Sequence, residues 1–171
     1  VLGESIDIVM MDTRSAVSGW SDDLGGRIYS NRVISTVKEA LRVRCGNAEI
    51  ASGQWSDIKA AVKEKGGKFC TEIFALAKVG EKWEPVQIDL SGGCLGDWMN
   101  YLESVGGKFG LYNSVVTMSK GEQKKKGAVK FYGMSFSTTD LTSELSDQAN
   151  AFNDDMLQPY LADGVETAVA V

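Results

Sequence analysis

From Glu39 to Gly53 the chain reads EALRVRCGNAEIASG. Leu41, Val43 and Cys45 alternate with Arg42 and Arg44, a period of two that suits a strand with one buried face and one wet, basic face. Gly46-Asn47 is a turn signal, and AEIASG supplies the returning strand, so the stretch reads as a hairpin. Working outward, SIDIVMMD (Ser5–Asp12) places Ile6, Ile8 and Met10 on one side, the pattern of a half-buried strand. SGWSDDLGGRIYSN (Ser18–Asn31) is rich in Gly, Ser and Asp and reads as a turn or long hairpin loop.

WSDIKAAVKEKGG (Trp55–Gly67) has the look of a short helix, capped by Ser56 and ended by Gly66-Gly67, with Ile58 and Val62 on its inner side. Two strands follow, KFCTEIFALAKVG and KWEPVQIDLSG, joined at Gly80-Glu81. Leu95, Trp98, Met99 and Leu102 then recur at core spacing in a second helix. Asn113–Met118 and Ala128–Phe136 are the last two strands, with SKGEQKKKGAVKFYG (Ser119–Gly133) placing its lysines in the turn between them. Leu141 to about Leu161 reads as a helix carrying Leu145, Ala149, Phe152, Met156, Leu157 and Tyr160, and the residues after it as a fraying terminus.

A chain of 171 residues is long enough for one domain with a real core. The fold class expected is mainly β with helices (α+β). It would be an OB-like small curved β-barrel, of the oligonucleotide-binding type, with inserted helices and a C-terminal helix. An open α+β sheet is the alternative. Residues 1–140 would form the barrel, and residues 141–171 an acidic helix and tail packed on the same domain.

The composition removes several function classes. Histidine is absent, and with it the usual general base, the usual metal ligand and the Ser-His and Cys-His nucleophile pairs. Cys45, Cys70 and Cys94 are widely spaced with no C-x-x-C pairing, so neither a disulfide framework nor a zinc site is expected. Cys94 reads as a buried thiol, and Asp12, Asp22 and Asp23 as turn residues rather than a metal site. Gly92-Gly93 and Gly106-Gly107 match no phosphate-loop or dinucleotide pattern. No catalytic residue, metal or cofactor is assigned, and the chain is expected not to be an enzyme. No apolar run reaches the roughly 20 residues of a membrane span, and a cytoplasmic location is expected. Val1 is not an initiator methionine, which leaves room for a longer reading frame or a processed leader.

The net charge of −5 hides an asymmetry. All 18 lysines and arginines lie in residues 1–140, while Leu141–Val171 holds six acids and no base. The body therefore carries cations, and they recur beside aromatic residues. Trp20 and Tyr29 bracket Arg27. Arg42 and Arg44 share one strand face. Trp55 precedes Lys59, Lys63 and Lys68. Lys124, Lys125, Lys126 and Lys130 lead into Tyr132. Cations that neutralise phosphates and rings that stack on bases are the two ingredients of single-strand nucleic-acid binding. Each also has a structural reading: lysines discourage edge pairing, Trp55 staples a helix, and Arg42 or Arg44 pairs across the strand with Glu49.

GQWSDIKAAVKEKGGKF (Gly53–Phe69), IDLSGGCLGDWMNYLES (Ile88–Ser104) and KKKGAVKFYGMSF (Lys124–Phe136) resemble segments of a group of phage and mobile-element single-stranded DNA-binding proteins. GWSDDLGGRIYSN (Gly19–Asn31) and the terminal DDMLQPYLAD (Asp154–Asp163) extend the likeness over most of the chain. The resemblance implies an OB fold, single-stranded DNA as partner, and a role in replication or recombination of a virus or mobile element in a bacterial host cytoplasm. Many bacterial single-strand binders end in a flexible acidic tip with a terminal aromatic; this chain ends in Thr-Ala-Val-Ala-Val. Its acidic segment would recruit replication or recombination proteins in another way, or compete with DNA for the basic groove. The oligomeric state is open, a homodimer included. The rival readings are a phage structural or protein-interaction module and a metal-dependent nuclease built on scattered carboxylates.

Overall fold

A computed structural model describes residues 4–166, apart from the side chains of Lys126 and of residues 163–166. The fold is mainly β with helices. Eight strands, β1 (Ser5–Ser21), β2 (Gly26–Ser30), β3 (Leu41–Cys45), β4 (Ala48–Gly53), β5 (Gly67–Val79), β6 (Lys82–Ser91), β7 (Ser114–Lys126) and β8 (Val129–Asp140), build an open antiparallel sheet. Its order is β4-β3-β2-β1-β5-β6, and β7 pairs with β1 and β8. The helices are α1 (Trp55–Glu64), α2 (Gly92–Ser104), α3 (Ser143–Phe152) and α4 (Gln158–Glu166). The chain divides into two compact units: residues 1–12 with 73–157, and residues 13–72 with 158–171.

In the first unit β1 and β5 are buried on both faces. Ile8, Met10, Ile73, Ala75 and Val116 pack with Trp98 of α2. The alternate residues Val9 and Leu76 pack with Leu145 and Ala149 of α3. The half-buried strand expected at Ser5–Asp12 is thus corrected: the run Ile8-Val9-Met10 is apolar because each side meets a helix. Met99, expected in the core, is exposed; the inward stripe of α2 is carried by Trp98 with Leu95 and Leu102.

The expected closed barrel is not formed by the described strands. The edge of β8 is capped by a helix instead, since Asp97 of α2 accepts the backbone N–H of Met134 at 3.0 Å. That group is one a further strand would need to close the sheet.

The second unit is one-sided. Val17, Ile28, Leu41, Val43 and Cys45 pack against Ile58 and Val62 of α1, and the opposite face of the sheet is left to polar and aromatic residues. Gln54, not Ser56, occupies the helix N-cap position; the Ser56 hydroxyl donates to Asp57 at 2.9 Å. The loop expected over Ser18–Asn31 is also corrected. Trp20 pairs with Arg27 and Ser18 with Tyr29, leaving only Asp22–Gly25 as the turn. Gly19 there reflects close packing. A Cβ on Gly19 would collide with the Gly66 carbonyl, and one on Gly66, at φ +93°, with the Trp20 carbonyl.

One further expectation changes. The lysines of Ser119–Gly133 are not in a turn, because β7 runs to Lys126 and the reversal is made by Gly127-Ala128, with Gly127 at φ +61°. The C-terminal helix forms as expected and runs without interruption over Ser143–Glu166, with a π-helical turn, Asn153–Leu157, between α3 and α4. Pro159 has no N–H to return to the carbonyl of Asp155, and the widened turn accommodates that loss. Residues 167–171 lie outside the described residues.

Candidate nucleic-acid interface

Side chains of residues directly opposite in an antiparallel pair lie on the same face, as do residues two apart on one strand. The register therefore sorts the second unit. Trp20 stands opposite Arg27, Arg27 shares its face with Tyr29, Tyr29 stands opposite Arg44, and Arg44 shares its face with Arg42. Ile28, Val43 and Cys45 point the other way, into the core. Five of the expected residues thus occupy one sheet face, drawn from three strands. Trp20 is 59% exposed and Tyr29 44%. The Tyr29 hydroxyl donates to the Gly46 carbonyl at 3.0 Å, which fixes the ring.

The cations on this face are uncommitted. Among the described residues none of Arg27, Arg42 and Arg44 has an acidic partner, although Glu49 lies opposite Arg44. Arg44 Nε is enclosed with no hydrogen-bond partner, a situation that costs about 1–3 kcal/mol. The Arg42 backbone N–H donates to Asn31 Oδ1 at 2.7 Å, which holds the end of β3 in place.

The other expected residues of this unit divide. Lys68 neighbours the inward-packed Phe69, so the pleat turns it to the side opposite that core. Trp55 does not join the face. It is half-buried on the core side, its ring 5.1 Å from Phe69, where it fastens α1 to the sheet. Lys59 and Lys63 lie on the exposed side of α1, the helix that covers the core face.

In the first unit the β7–β8 hairpin carries the rest. Lys125 stands opposite Lys130 and Gln123 opposite Tyr132, so Lys125, Lys130 and Tyr132 share one face. Lys120 was not anticipated: its ammonium lies 3.9 Å from the centroid of the Tyr132 ring, so one face of that ring already holds a cation. Lys124, opposite Phe131, is on the reverse side and pairs with Asp97. The Lys126 side chain lies outside the described residues.

The Lys124 ammonium, with the Met134 N–H, holds the Asp97 carboxyl below the ordinary carboxylate range. A carboxyl depressed by folding stabilises the folded state above its unfolded pKa, about 3.9, and loses that contribution as pH falls through the lower native value. Asp97→Asn is therefore expected to be less stable than the parent at neutral pH. The difference should shrink as pH falls below about 4, as read from thermal midpoints along a pH series.

Phe109 was also missed. It is 77% exposed on a 3-10 turn, Lys108–Leu111, behind Gly106-Gly107. The only hint in the sequence is the glycine bracket of GGKFG, which signals a presented residue without naming its purpose.

No family model, curated protein or solved structure matches the chain. Among the described residues no helix is long and apolar enough to cross a membrane, and no group of three or more His, Cys, Asp or Glu could hold a metal ion.

Proposed function

We propose that the protein binds single-stranded DNA without chemistry and without reading sequence at this face, in replication or recombination of a phage or mobile element within a bacterial host cytoplasm. The observation that carries the reading is the convergence of Trp20, Tyr29, Arg27, Arg42 and Arg44 on one open sheet face, with the arginines unpaired. Two exposed rings offer stacking surfaces to unpaired bases, and a duplex hides the base faces those rings need. Three arginines offer planar forks to phosphates. The finer fold relation belongs to the same proposal. A long β1 that pairs with β2 near one end and β7 near the other is the kind of strand an oligonucleotide-binding barrel is built around, here left open.

The test is a titration of a short oligothymidine at several salt concentrations. Three phosphate contacts predict a slope of log K on log salt near −2, at about −0.7 per contact on single strands. Arg42→Glu should weaken binding to all base sequences alike and flatten the slope by about 0.7 or more. Salt-independent binding would overturn the proposal.

One observation favours a second reading, a protein-interaction module. In the loop between β2 and β3, Ile34 and Val37 are 61% and 74% exposed. The loop is nevertheless braced: Glu39 accepts the backbone N–H groups of Ile34 and Ser35, and Gln54 donates to the Val37 carbonyl. Absence of any gel shift with single-stranded DNA would favour that reading.

A further inference from the structure

The first unit holds a cavity of about 180 Å³ beneath α3. From its residues the geometry points to a binding pocket for an unpaired pyrimidine base, separate from the sheet face of the second unit and not dependent on that reading.

Ser146, Asn150 and Asn153, at spacings of four and three, form one polar stripe along α3 and the start of the π-helical turn, and all three line the cavity. Met10, Met11 and Tyr112 line it as well. No charged side chain is among the lining residues, so the site suits a neutral group. Amides both donate and accept, so the ligand should present a mixed edge of donors and acceptors. The Watson–Crick edge of an unpaired base is such an edge. The Met11 thioether, which packs on the α3 side of the sheet, and a phenol ring suit the flat face of a heterocycle.

Size narrows the choice. A cavity of about 150 Å³ accommodates one benzene ring, so this one has room for a single six-membered heterocycle rather than a fused pair. Among the described residues no hydrogen bond holds the Asn150 amide. The Asn153 amide donates to Asp154 at 3.0 Å, and it sits where the helix widens, a feature that recurs at functional sites.

The rim supplies the other half of a nucleotide site. The exposed Phe109 ring lies 6.2 Å from the ring of Tyr112, and the Lys108 ammonium lies 5.8 Å from the Phe109 centroid. A cation and a flat ring beside a neutral polar pocket match a phosphate and a neighbouring base beside a captured one. A duplex cannot present such a base, because its pairing edge is already occupied.

The test is amide NMR of the full chain titrated with thymidine monophosphate, deoxycytidine monophosphate, deoxyadenosine monophosphate and, separately, inorganic phosphate. The expected result is a shift of the Asn150 and Asn153 side-chain amides by the pyrimidine nucleotides, with dissociation constants near 1 mM and weaker binding of the purine. Asn150→Leu and Phe109→Ala should each weaken pyrimidine binding by about five-fold, the worth of roughly one neutral contact. Both positions are exposed, and an unchanged circular dichroism spectrum verifies the fold. The Asn150 and Asn153 shifts are read at the pocket itself, which separates it from the sheet face. No shift at about 10 mM nucleotide, the same shift with phosphate alone, or shifts produced by a tyrosine-containing peptide and by no nucleotide would overturn the proposal.

Discussion

Alanine at both Trp20 and Tyr29 is expected to weaken oligothymidine binding by at least about 30-fold, since each stacked base contributes roughly 1–3 kcal/mol. The two rings lie diagonally across β1 and β2, Trp20 beside Arg27 and Tyr29 beside Ser18, a separation of about 7–8 Å between backbone positions. That spacing lets both rings engage one short stretch of strand. The single variants should each lose about ten-fold, and the Trp20 variant should also lose most of the fluorescence quenching. Trp98 is 1% exposed, Trp55 is half-buried against Phe69 and Trp83 is half-buried against the cluster of Leu145 and Ala149, so none of the three is placed to report stacking. Trp55→Ala serves as the contrast, with an expected loss of stability and little direct effect on the remaining affinity. If the Trp20/Tyr29 double variant binds like the parent, the sheet face is not the binding surface.

Gly66→Ala is expected to be among the most destabilising single substitutions in the second unit, at about 3 kcal/mol or more. Two costs combine. Gly66 has φ +93°, a region that costs an L-residue about 1–2 kcal/mol. Its Cβ would also be driven into the Trp20 carbonyl, and a backbone atom cannot rotate out of the way as a side chain does. Gly25→Ala is the matched control. Gly25 has φ +62° with nothing within 4 Å of its added Cβ, so only the conformational cost of about 1–2 kcal/mol applies. Urea denaturation midpoints would resolve the two. Because the colliding carbonyl belongs to Trp20, a Gly66→Ala protein that remains folded should also bind oligothymidine more weakly, through displacement of that ring. Equal stability of the two glycine variants would refute the close approach of these segments.

Much of the local architecture is legible in the residues. The alternation of LRVRC announces a one-sided strand, and Leu41, Val43 and Cys45 are indeed buried beneath exposed Arg42. Ile58 and Val62 mark the inner side of α1, and Gly80 marks the β5–β6 turn. The misreadings share a cause. Gly19, Gly25 and Gly26 look like loop punctuation, yet Gly19 and Gly26 are strand residues, and Gly19 has no room for a side chain. Ile8-Val9-Met10 looks half-buried until α3 is known to cover the second side. Lys120–Lys126 looks like a turn until cross-strand pairing is seen to continue as far as Lys126 and Val129.

The candidate face shows the same division. Arg42 and Arg44 belong together on any reading of their strand. Whether Trp20 and Tyr29 join them depends on the register across Asp22–Gly25, and a slip of one residue would turn one strand's side chains to the other face. Asp97 and Lys124 are 27 residues apart, and no local pattern couples them.

Alternation, apolar spacing and turn glycines act between near neighbours, so the chain's order of residues was enough to specify strands, the first helix and a basic strand face. Which rings stand beside which cations, why the sheet edge ends at a helix, and where a small polar cavity opens under α3 were set by pairing and packing between distant segments. Those energies depend on register and on shape. Neither is a property of any one stretch of sequence.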